Sequence, residues 1–592
     1  DMETATRDFL RWVSLIVAAP VVVYSGAPFF AAAWQSVRAA RPGMDVPIAL
    51  AVGIAFVASL WHTFAGDGEV YLDSAVMFVF FMTLSRHITL MTRHRALDAS
   101  ERFAAALPEV CERVTTNGSE LVSNAELEVG DRVRVAAGAV VPADGRVSDG
   151  HVAVDESLIT GESHSVPRRA GEQVLAGSVV VEGPLELKVE RVGAETTLSG
   201  IVRLMRRAES QRPPQVAIAD RVARYFVTGI LLVAGATLLS WWHLGAPERA
   251  LSAALAVLVV TCPCALSLAV PTAISAARAR LTRDGVLLTD AGTLERLPEI
   301  DTVAFDKTGT LTAGGCRRDR VTVEPGYAEA ECLNICAALE AASDHPLAAA
   351  FADVTAQAQA QHVSEHAGGG IEGSVAGTRY RLGSPRFALD RESAGLGADS
   401  TMVLAADGKP LCWISVLDPP RPEAAQVVAA LNRPATILSG DSAARVRAVA
   451  MALGIPDWQA RLRPEDKIEW VNAQQRSGSR VAAVGDGVND APLLAGADVG
   501  IAVGAAGTLA RTRAHVIVNG DSLQPLALLW RVAEATRRVG RRNLTWALGY
   551  NLLAVPFAAL GLVPPWLAAL GMSASSTLVV LHSLVLLRTA DD

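Results

Sequence analysis

The chain has 592 residues, of which 51 % are hydrophobic and 19 % charged, and its formal net charge at pH 7 is −8. A chain of this length has room for several domains, and its hydrophobic share is higher than a soluble protein of that size needs. Part of the chain is therefore predicted to lie in a lipid bilayer. Lysine and arginine do not gather into a block, so we expect no nucleic-acid partner.

Seven apolar runs approach the roughly 20 residues that a membrane-spanning helix needs. They cover residues 9–30, 46–64, 71–92, 225–243, 250–274, 544–562 and 565–586. The segments 93–224 and 275–543 are instead long, charged and rich in turn residues. The sequence thus predicts an α-helical membrane bundle of seven visible spans that carries two large polar segments.

Arginines that flank the predicted spans cluster on one side of the membrane. Lysine and arginine of short loops mark the cytoplasmic face, so both large polar segments are expected to be cytoplasmic. The flanking residues are Arg38, Arg41, Arg93, Arg95, Arg221, Arg224, Arg278, Arg280, Arg541 and Arg542. This orientation puts Asp1 on the outer side with neither an initiator methionine nor a signal peptide, which predicts at least one further helix upstream in the natural protein.

The seven cysteines fall into two groups. Five lie in polar segments and are interpreted as reduced residues of a cytoplasmic body, because so few cysteines in a long chain do not form a disulfide framework. These five are Cys111, Cys316, Cys332, Cys336 and Cys412. Cys262 and Cys264 instead flank Pro263 within an apolar run.

This Cys-Pro-Cys sequence predicts a soft-metal site inside the membrane. A proline within a helix removes a hydrogen bond and exposes carbonyl groups, which the membrane tolerates mainly beside protein or a functional cavity. The thiols of Cys262 and Cys264 are soft donors that suit Cu(I) or Zn(II). Positions two apart point in different directions on a regular helix, so the break at Pro263 is expected to let both thiols reach one ion.

Segment 93–224 has the pattern of a small β domain. Its valine-rich stretches are separated by glycine, proline and aspartate, which is typical of short strands. The stretches are 129–135, 140–147, 174–181 and 185–192. Within this segment lies Thr160-Gly161-Glu162-Ser163, which alone indicates only a polar turn.

Three short apolar strands in segment 275–543 each lead to an aspartate. Residues 302–305 precede Asp306, residues 435–438 precede Asp441 after a Ser-Gly pair, and residues 481–484 precede Asp486 after a glycine. In an open parallel α/β sheet, ligands bind beyond the carboxyl ends of the strands. We therefore expect these carboxylates to converge on one site.

A carboxylate can attack a phosphoryl group and form an acyl phosphate, which divides a difficult transfer into two easier steps. Asp306 is the candidate nucleophile. Asp486 and the carbonyl group of Thr308 could hold Mg²⁺, an ion that prefers few carboxylates together with phosphate oxygens and water. Lys467 could neutralise the transferring group.

The motifs 306–312 and 485–490 resemble those of the P-type ATPases, and the Cys-Pro-Cys at 262–264 narrows the resemblance to the heavy-metal-transporting subclass. The resemblance covers essentially the whole chain. It implies an aspartyl-phosphate cycle driven by ATP and Mg²⁺. It also implies a β-rich actuator domain and a HAD-like α/β phosphorylation domain with an inserted α+β nucleotide-binding domain.

By that resemblance the chain divides into seven parts. Transmembrane helices 1–3 occupy 1–92, the actuator domain 93–224, transmembrane helices 4–5 with Cys-Pro-Cys 225–283, the first part of the phosphorylation domain 284–313, the nucleotide-binding domain 314–432, the second part of the phosphorylation domain 433–540, and transmembrane helices 6–7 541–592.

The resemblance also implies roles for individual residues. Glu162 positions the water that hydrolyses the phosphoenzyme. The other expected catalytic residues are Thr160, Gly161, Asp306, Lys307, Thr308, Asp441, Lys467, Asn489 and Asp490. The expected nucleotide-binding residues are Glu340, His345, Pro346, Gly368, Gly370 and Gly383, with Asp344 standing where the family usually has glutamate.

The last two predicted spans discriminate between metal ions. Zn²⁺ transporters of the family carry an acidic residue and a lysine there, whereas here the helices offer neutral and soft groups. By resemblance to the copper branch, the transport pathway includes Tyr550, Asn551, Met572 and Ser576. These ligands favour Cu(I), with Ag(I) as a second substrate; a Zn²⁺/Cd²⁺ pump is the alternative enzyme.

Met44, Asp73 and Asp220 match the ion uptake and release groups of the copper branch. A carboxylate within the membrane, such as Asp73, has a high free-energy cost and is therefore a functional candidate. Ser25-Gly26 resembles the kink where an amphipathic platform turns along the cytoplasmic surface. A cytoplasmic copper chaperone is the expected donor at that platform.

Ser267 and Val270 depart from the usual family sequence after Cys-Pro-Cys. With the sequences at 43–47 and 7–12, they resemble the bacterial copper pumps that supply cytochrome oxidase assembly, which implies the bacterial inner membrane. An alternative from another class is a non-transporting membrane copper sensor. Such a sensor would be expected to have lost Asp306, Glu162 or Asp490, and all three residues are present.

Overall fold

The computed structural model describes residues 4–39, 45–65, 68–104, 107–115, 118–149, 151–156, 165–210, 214–261, 264–313, 315–341, 343, 346–366, 369–389, 402–486, 490–504, 513–520 and 522–587. They belong to two compact units. The first comprises Asp1–Glu299 with Leu528–Asp592, and the second comprises Ile300–Ala527.

The helices are numbered here in chain order. They are α1 Thr4–Pro20, α2 Ala27–Arg38, α3 Asp45–Ala65, α4 Leu72–Ala104, α5 Thr197–Ser210, α6 Pro214–His243, α7 Pro247–Val260, α8 Cys264–Arg283, α9 Thr293–Arg296, α10 Glu329–Glu340, α11 Pro385–Leu389, α12 Ala424–Ala430, α13 Ala443–Leu453, α14 Pro464–Arg476, α15 Ala491–Gly496, α16 Gln524–Ala559 and α17 Pro565–Leu584.

The strands are numbered in the same way. They are β1 Val110–Thr115, β2 Gly118–Ser123, β3 Arg132–Val135, β4 Asp144–Asp149, β5 His151–Asp155, β6 Val166–Arg169, β7 Gln173–Val174, β8 Val179–Glu182, β9 Leu185–Arg191, β10 Val286–Leu288, β11 Thr302–Asp306, β12 Arg317–Val323, β13 Ala360–His366, β14 Gly370–Val375, β15 Thr378–Gly383, β16 Met402–Ala406, β17 Lys409–Leu417, β18 Ala435–Leu438, β19 Asp457–Gln459, β20 Val481–Gly485, β21 Val499–Val503 and β22 Val516–Val518.

Among the described residues, four helices are long and apolar enough to cross a membrane. They are Thr6–Ser25, Asp45–Ala65, Phe226–His243 and Pro565–Leu587, and Leu72–Leu84 is a shorter apolar helix. The predicted span 250–274 is not one helix, since α7 ends before Cys262 and α8 begins at Cys264. The predicted span 544–562 is the end of a 36-residue helix whose first half carries several arginines. The count of seven spans stays a prediction.

The membrane helices of the first unit share one buried apolar cluster. It joins Val52 of α3, Phe78 of α4, Val257 of α7 and Met572 of α17. Ala568 and Ala569 of α17 belong to it and are almost fully buried. Small residues let helix backbones approach closely in a membrane, where packing replaces the hydrophobic effect as the driving force.

The β-rich part of the first unit contains two sheets, with strand orders β2-β1-β3-β9-β4-β7 and β6-β5-β8. Each of the four predicted valine-rich stretches contains at least part of a strand. Alternating residues such as Val133, Leu185 and Leu187 fill the core, as expected for strands with one buried face. Buried Asp144 accepts hydrogen bonds from the backbone N–H of Ala176 and of Thr197 at 2.8 and 2.7 Å. It thereby ties the sheet to the first residue of α5.

The second unit is built on parallel strands in the order β22-β21-β20-β11-β18-β19. Strand β11 lies between β18 and β20 and pairs with both in parallel register. Between β11 and β18 the chain forms an antiparallel sheet of order β12-β17-β16-β15-β14-β13, whose core includes residues of α10. This is the predicted architecture of an α/β domain that carries an inserted α+β domain.

Candidate functional site

Three carboxylates meet at the carboxyl end of the central strands. Asp306 is the last residue of β11, Asp486 follows β20, and Asp490 precedes α15. Their nearest oxygen atoms all lie within 4.8 Å of one another. Asp306 and Asp490 are buried, with 6 and 3 % exposure. The structure thus brings together Asp306 and Asp486, two of the three strand-end aspartates for which the sequence predicts a common site, whereas the third, Asp441, is not part of this cluster.

Lys467, in the first turn of α14, supplies the positive charge of this cluster. Its Nζ donates to Oδ1 of Asp306 at 2.6 Å and to Oδ1 of Asp490 at 2.9 Å. Charge-assisted hydrogen bonds of this length are among the strong ones in proteins. A single ammonium group therefore faces the candidate nucleophile and a second carboxylate at once.

The negative charge in the cluster exceeds what Lys467 balances. Burial raises the pKa of Asp306 to about 6; Asp490 adds to that rise and Lys467 opposes it. Burial and Asp490 also raise the pKa of Asp486 to about 6. Burial acts to lower the pKa of Lys467, but Asp306 and Asp490 outweigh it and the pKa lies above its usual value. An oxygen-rich cluster with uncompensated negative charge fits Mg²⁺.

The loop after β11 passes so close to Asp486 that one position requires glycine. Gly309 has φ +71°, and a Cβ atom built on it would lie 1.7 Å from Oδ2 of Asp486. Both the left-handed backbone and the missing side chain are therefore needed here. This contact holds the backbone of residues 307–311 beside the carboxylate cluster.

Lys307 points to a second pair of carboxylates rather than to the first. Its Nζ lies 3.1 Å from Oδ2 of Asp441 and 3.2 Å from Oδ2 of Asp418. Burial acts to raise the pKa of Asp441, but the N–H of Ser442, Arg445 and Lys307 outweigh it and the pKa lies below its usual value. Asp441 thus joins the site through Lys307.

Sequence reasoning missed Asp418 and Arg421, which follow β17 where the inserted domain returns. Oδ2 of Asp418 also accepts a hydrogen bond from Thr312 Oγ1 at 2.7 Å. Arg421 donates to the carbonyl oxygens of Gly309 and Thr310 at 2.9 and 3.0 Å. An aspartate directly after an apolar strand was the signal used for Asp306, and Asp418 carries the same signal.

The described part of the expected nucleotide site lies at the end of α10 and on β14 and β15. Glu340 is buried, and its Oε2 accepts no hydrogen bond within the described residues. Burial and Glu365 raise the pKa of Glu340 to about 7. Gly370 and Gly383 face each other in the strand register, and a Cβ on either would lie 2.2–2.3 Å from a carbonyl oxygen. Close strand packing thus explains these two glycines.

The expected pathway residues in the membrane lie on α16 and α17. Asn551, Met572 and Ser576 are buried, with 6, 2 and 2 % exposure. Oδ1 of Asn551 has no hydrogen-bond partner among the described residues. A Cβ on Gly571 would lie 2.8 Å from the hydroxyl oxygen of Tyr550, so the two helices are in close contact there.

The structure leaves several predicted residues untested. Outside the described residues lie Met44, Thr160, Gly161, Glu162, Cys262, His345, Gly368 and Asn489. Only the backbone is described at Cys264, Asp220 and Pro346. Asp73 lies in the first turn of α4 with its side chain exposed, and its Oδ1 accepts a hydrogen bond from the Ser74 N–H at 2.7 Å.

Comparisons with known proteins agree with this fold. Residues 105–206 match the P-type ATPase actuator domain, and residues 300–498 match the haloacid dehalogenase-like hydrolases. The fold and the carboxylate cluster define a P-type ATPase, and the chain belongs to that family.

Similarity to individual proteins narrows the class of P-type ATPase further. The chain is 37 % identical over 99 % of its length to the nitrogen fixation protein FixI of Rhizobium meliloti and covers 78 % of it. It is 35 % identical over 97 % of its length to a copper-exporting P-type ATPase of Mycobacterium tuberculosis and covers 80 % of it. A crystal structure of a zinc-transporting PIB-type ATPase in the E2.Pi state aligns with a TM-score of 0.61 and 28 % identity, covering 99 % of this chain and all of that one. The protein is a heavy-metal P-type ATPase, a multi-pass membrane enzyme.

Proposed function

We propose that the protein exports Cu(I) from the cytoplasm, with Ag(I) as a second substrate, by an ATP-driven cycle through a phosphorylated Asp306. The cluster of Asp306, Lys467, Asp486 and Asp490 is the observation that carries the phosphorylation step. Copper as the cargo is supported by the neutral donors of the last two helices. It is also supported by the likeness to copper-exporting relatives.

Phosphorylation begins with attack of an Asp306 carboxylate oxygen on the γ-phosphorus of ATP. The new P–O bond forms on Asp306 as the bond to the leaving ADP oxygen breaks, so no proton has to move in this step. With a pKa of about 6, Asp306 is mostly ionised at neutral pH and therefore competent as a nucleophile. Lys467 offsets the negative charge that gathers around the transferring group.

Asp306, Asp486 and the carbonyl group of Thr308 are the groups that would hold Mg²⁺. The ion supplies charge neutralisation for the phosphate oxygens. The turn at Gly309 keeps the Thr308 region beside Asp486, while Lys307 is held by Asp418 and Asp441. Hydrolysis of the phosphoenzyme is assigned to the loop of Thr160, Gly161 and Glu162 by resemblance, and Asn489 is placed at the phosphorylation site in the same way.

Nucleotide binding is assigned to Glu340, His345, Pro346, Gly368, Gly370 and Gly383. The buried Oε2 of Glu340, which accepts no hydrogen bond within the described residues, supports this role, because the exocyclic amino group of adenine is a hydrogen-bond donor and a buried acceptor gains from a partner.

Replacing Glu340 by Gln is expected to weaken ATP binding by roughly 10-fold, since a hydrogen bond to a charged acceptor contributes about 1.5–3 kcal/mol. The wild-type affinity should fall as pH decreases through about 7, because protonation removes the carboxylate acceptor. Isothermal titration calorimetry with ATP between pH 6 and 8 measures both the loss of affinity in the variant and the pH dependence of the wild type. The matched control is Glu329→Gln at the exposed start of α10, and an unchanged pH profile in Glu340→Gln would contradict the assignment.

The metal pathway is assigned to Cys262 and Cys264 followed by the donors on α16 and α17. Asn551 offers a buried oxygen without a partner among the described residues, and Met572 offers a buried thioether. Thiolates and thioethers are soft ligands that suit soft metals such as Cu(I). Tyr550 and Ser576 complete the set, and Met44, Asp73 and Asp220 are the proposed uptake and release groups.

A Zn²⁺ or Cd²⁺ exporter is the second candidate, favoured by the likeness to the zinc-transporting structure. The residues 543–587 contain no Asp, Glu, Lys or Arg that would balance a divalent charge. This composition supports Cu(I) rather than a divalent ion as the proposed cargo.

ATPase activity in a reducing buffer should be stimulated more by Cu(I) and Ag(I) than by Zn²⁺ and Cd²⁺. Serine at both Cys262 and Cys264 should remove the stimulation, because the hydroxyl group is a hard and weak ligand for Cu(I). The same variant should still be labelled by inorganic phosphate, which shows that the phosphorylation site is intact. If Zn²⁺ stimulated the ATPase more strongly than Cu(I), the proposed cargo would be Zn²⁺ and not copper.

The proposed location is the bacterial inner membrane, with both large polar segments in the cytoplasm. The break between the helical segment ending at Ser25 and α2 agrees with a platform on the cytoplasmic surface, where Trp34 and Arg38 are exposed. A cytoplasmic copper chaperone is the proposed donor there. Supply of copper for cytochrome oxidase assembly is the proposed role, on the resemblance around Ser267 and Val270.

A further inference from the structure

Helix α16 carries a groove of about 840 Å³ on its surface, apart from the phosphorylation cluster. Its lining residues recur every three or four positions and therefore form one stripe along the helix. The stripe begins with Arg538, Arg541 and Arg542 and continues through Trp546, Gly549 and Leu553. One end of the groove is thus cationic and the other apolar.

The cationic end concentrates three exposed side chains within about one helical turn. Within the part of the chain that the structure describes, the side chains of Arg538, Arg541 and Arg542 form no ion pair or hydrogen bond with protein. Arginine binds phosphate through paired N–H groups and is hydrated more weakly than lysine. Three such groups at the start of an apolar segment suit a phosphate at a membrane surface.

The apolar end is long enough to accommodate one lipid chain. A Cβ on Gly549 would meet no atom within 4 Å, so the missing side chain deepens the groove. The Trp546 ring is anchored by a 3.1 Å hydrogen bond from its Nε1 to Ser575 Oγ. From Arg542 to Phe557 the helix rises about 22 Å, which exceeds half of the roughly 30 Å hydrocarbon core.

A second groove on the same unit provides a contrast. It has a volume of about 560 Å³ and follows Leu50, Gly53, Ile54 and Trp61 on α3. Among the residues that the structure describes, no lysine or arginine lines it. Its described lining can accept a lipid chain without an arginine or lysine for a headgroup, whereas the groove on α16 offers both.

We propose that the groove on α16 is a binding site for an anionic phospholipid. The phosphate group binds Arg538, Arg541 and Arg542, and one acyl chain lies along Trp546, Gly549 and Leu553. Anionic lipid attracts each nearby lysine or arginine by about 1 kcal/mol. Tyr550 lines the same groove, so bound lipid contacts a residue of the proposed copper pathway. Through this contact, bound lipid is expected to affect copper-dependent turnover. Only that effect rests on the proposed function; the lipid site itself does not.

Lipid retention by the full chain tests the site without any transport assay. Native mass spectrometry of the purified protein should show phosphatidylglycerol bound in preference to phosphatidylcholine. Replacing Arg541 and Arg542 together by Gln should weaken phosphatidylglycerol binding about 30-fold, the factor that corresponds to about 2 kcal/mol for two arginines. Gly549→Trp should also reduce binding, because the indole fills the groove while all three charges stay.

Arg531→Gln is the matched control, since Arg531 is exposed on the same helix about 10 Å before Arg538 and does not line the groove. It should bind phosphatidylglycerol like the wild type. Equal losses in Arg531→Gln and in the double variant would show general surface attraction and overturn the site. Displacement of bound lipid by inorganic phosphate would also overturn it, because the acyl chain would then contribute nothing. If lipid binds as proposed but copper does not stimulate the ATPase, the copper assignment fails and the lipid site stands.

Discussion

Asp306→Asn should abolish acid-stable labelling of the protein by radioactive ATP. The amide nitrogen and oxygen of asparagine cannot form the acyl phosphate, so ATPase activity should fall by at least about 10³-fold. Acid-stable labelling of the variant at the wild-type level would disprove the role of Asp306. Asp457→Asn is the matched control, because Asp457 is an exposed carboxylate of the same unit at the start of β19.

The pH dependence of wild-type labelling gives a second measure of the same residue. The pKa of Asp306 is raised to about 6, so the ionised nucleophile is fully present above that value and is lost as pH falls through it. Initial labelling rates should therefore decrease about 10-fold for each unit below pH 6. A rate that stays constant down to pH 5 would indicate a nucleophile with an ordinary aspartate pKa.

Lys467→Met should have the second largest effect, because it leaves Asp306, Asp486 and Asp490 close together without their shared cation. Removing one partner of a buried ion pair costs about 3–5 kcal/mol. The melting temperature of the full chain should fall, and labelling by both ATP and inorganic phosphate should drop at least about 100-fold at neutral pH. Lys409→Met, at an exposed lysine of the same unit, should change neither property.

A pH profile separates a local electrostatic role of Lys467 from general damage to the fold. Lys467 lowers the pKa of Asp306 against burial and Asp490, so its removal should raise that pKa further. The residual labelling rate of Lys467→Met should consequently reach its plateau at a higher pH than in the wild type. A variant that is merely unstable would show a lower rate with an unchanged profile.

The carboxylate cluster could be predicted because its members carry a local pattern. Asp306 and Asp486 each follow a short apolar strand, and parallel strands place such residues at one edge of the sheet. Asp418 also follows an apolar strand, but its strand belongs to the inserted domain, and the partners of Asp418 and Arg421 lie more than 100 positions away. Contacts of that kind depend on where the inserted domain returns to the sheet, so the local pattern at Asp418 does not reveal its partners.

Two glycines and one membrane span show further limits of prediction from sequence alone. The resemblance implied nucleotide contact for Gly370 and Gly383, which stays a prediction, and the structure adds that these residues allow two strands to approach closely. Hydropathy treats 250–274 as one continuous span, although the helix stops before Cys262 and restarts at Cys264. Composition measures how apolar a segment is, but whether it is one straight helix depends on backbone geometry at a few residues.

The two connections of the inserted domain have a mechanical consequence. The outgoing chain leaves through Thr312 and the returning chain arrives at Asp418 and Arg421, and both are hydrogen-bonded to the loop that follows Asp306. A rotation of the inserted domain would therefore displace the backbone of this loop, which lies directly beside Asp306.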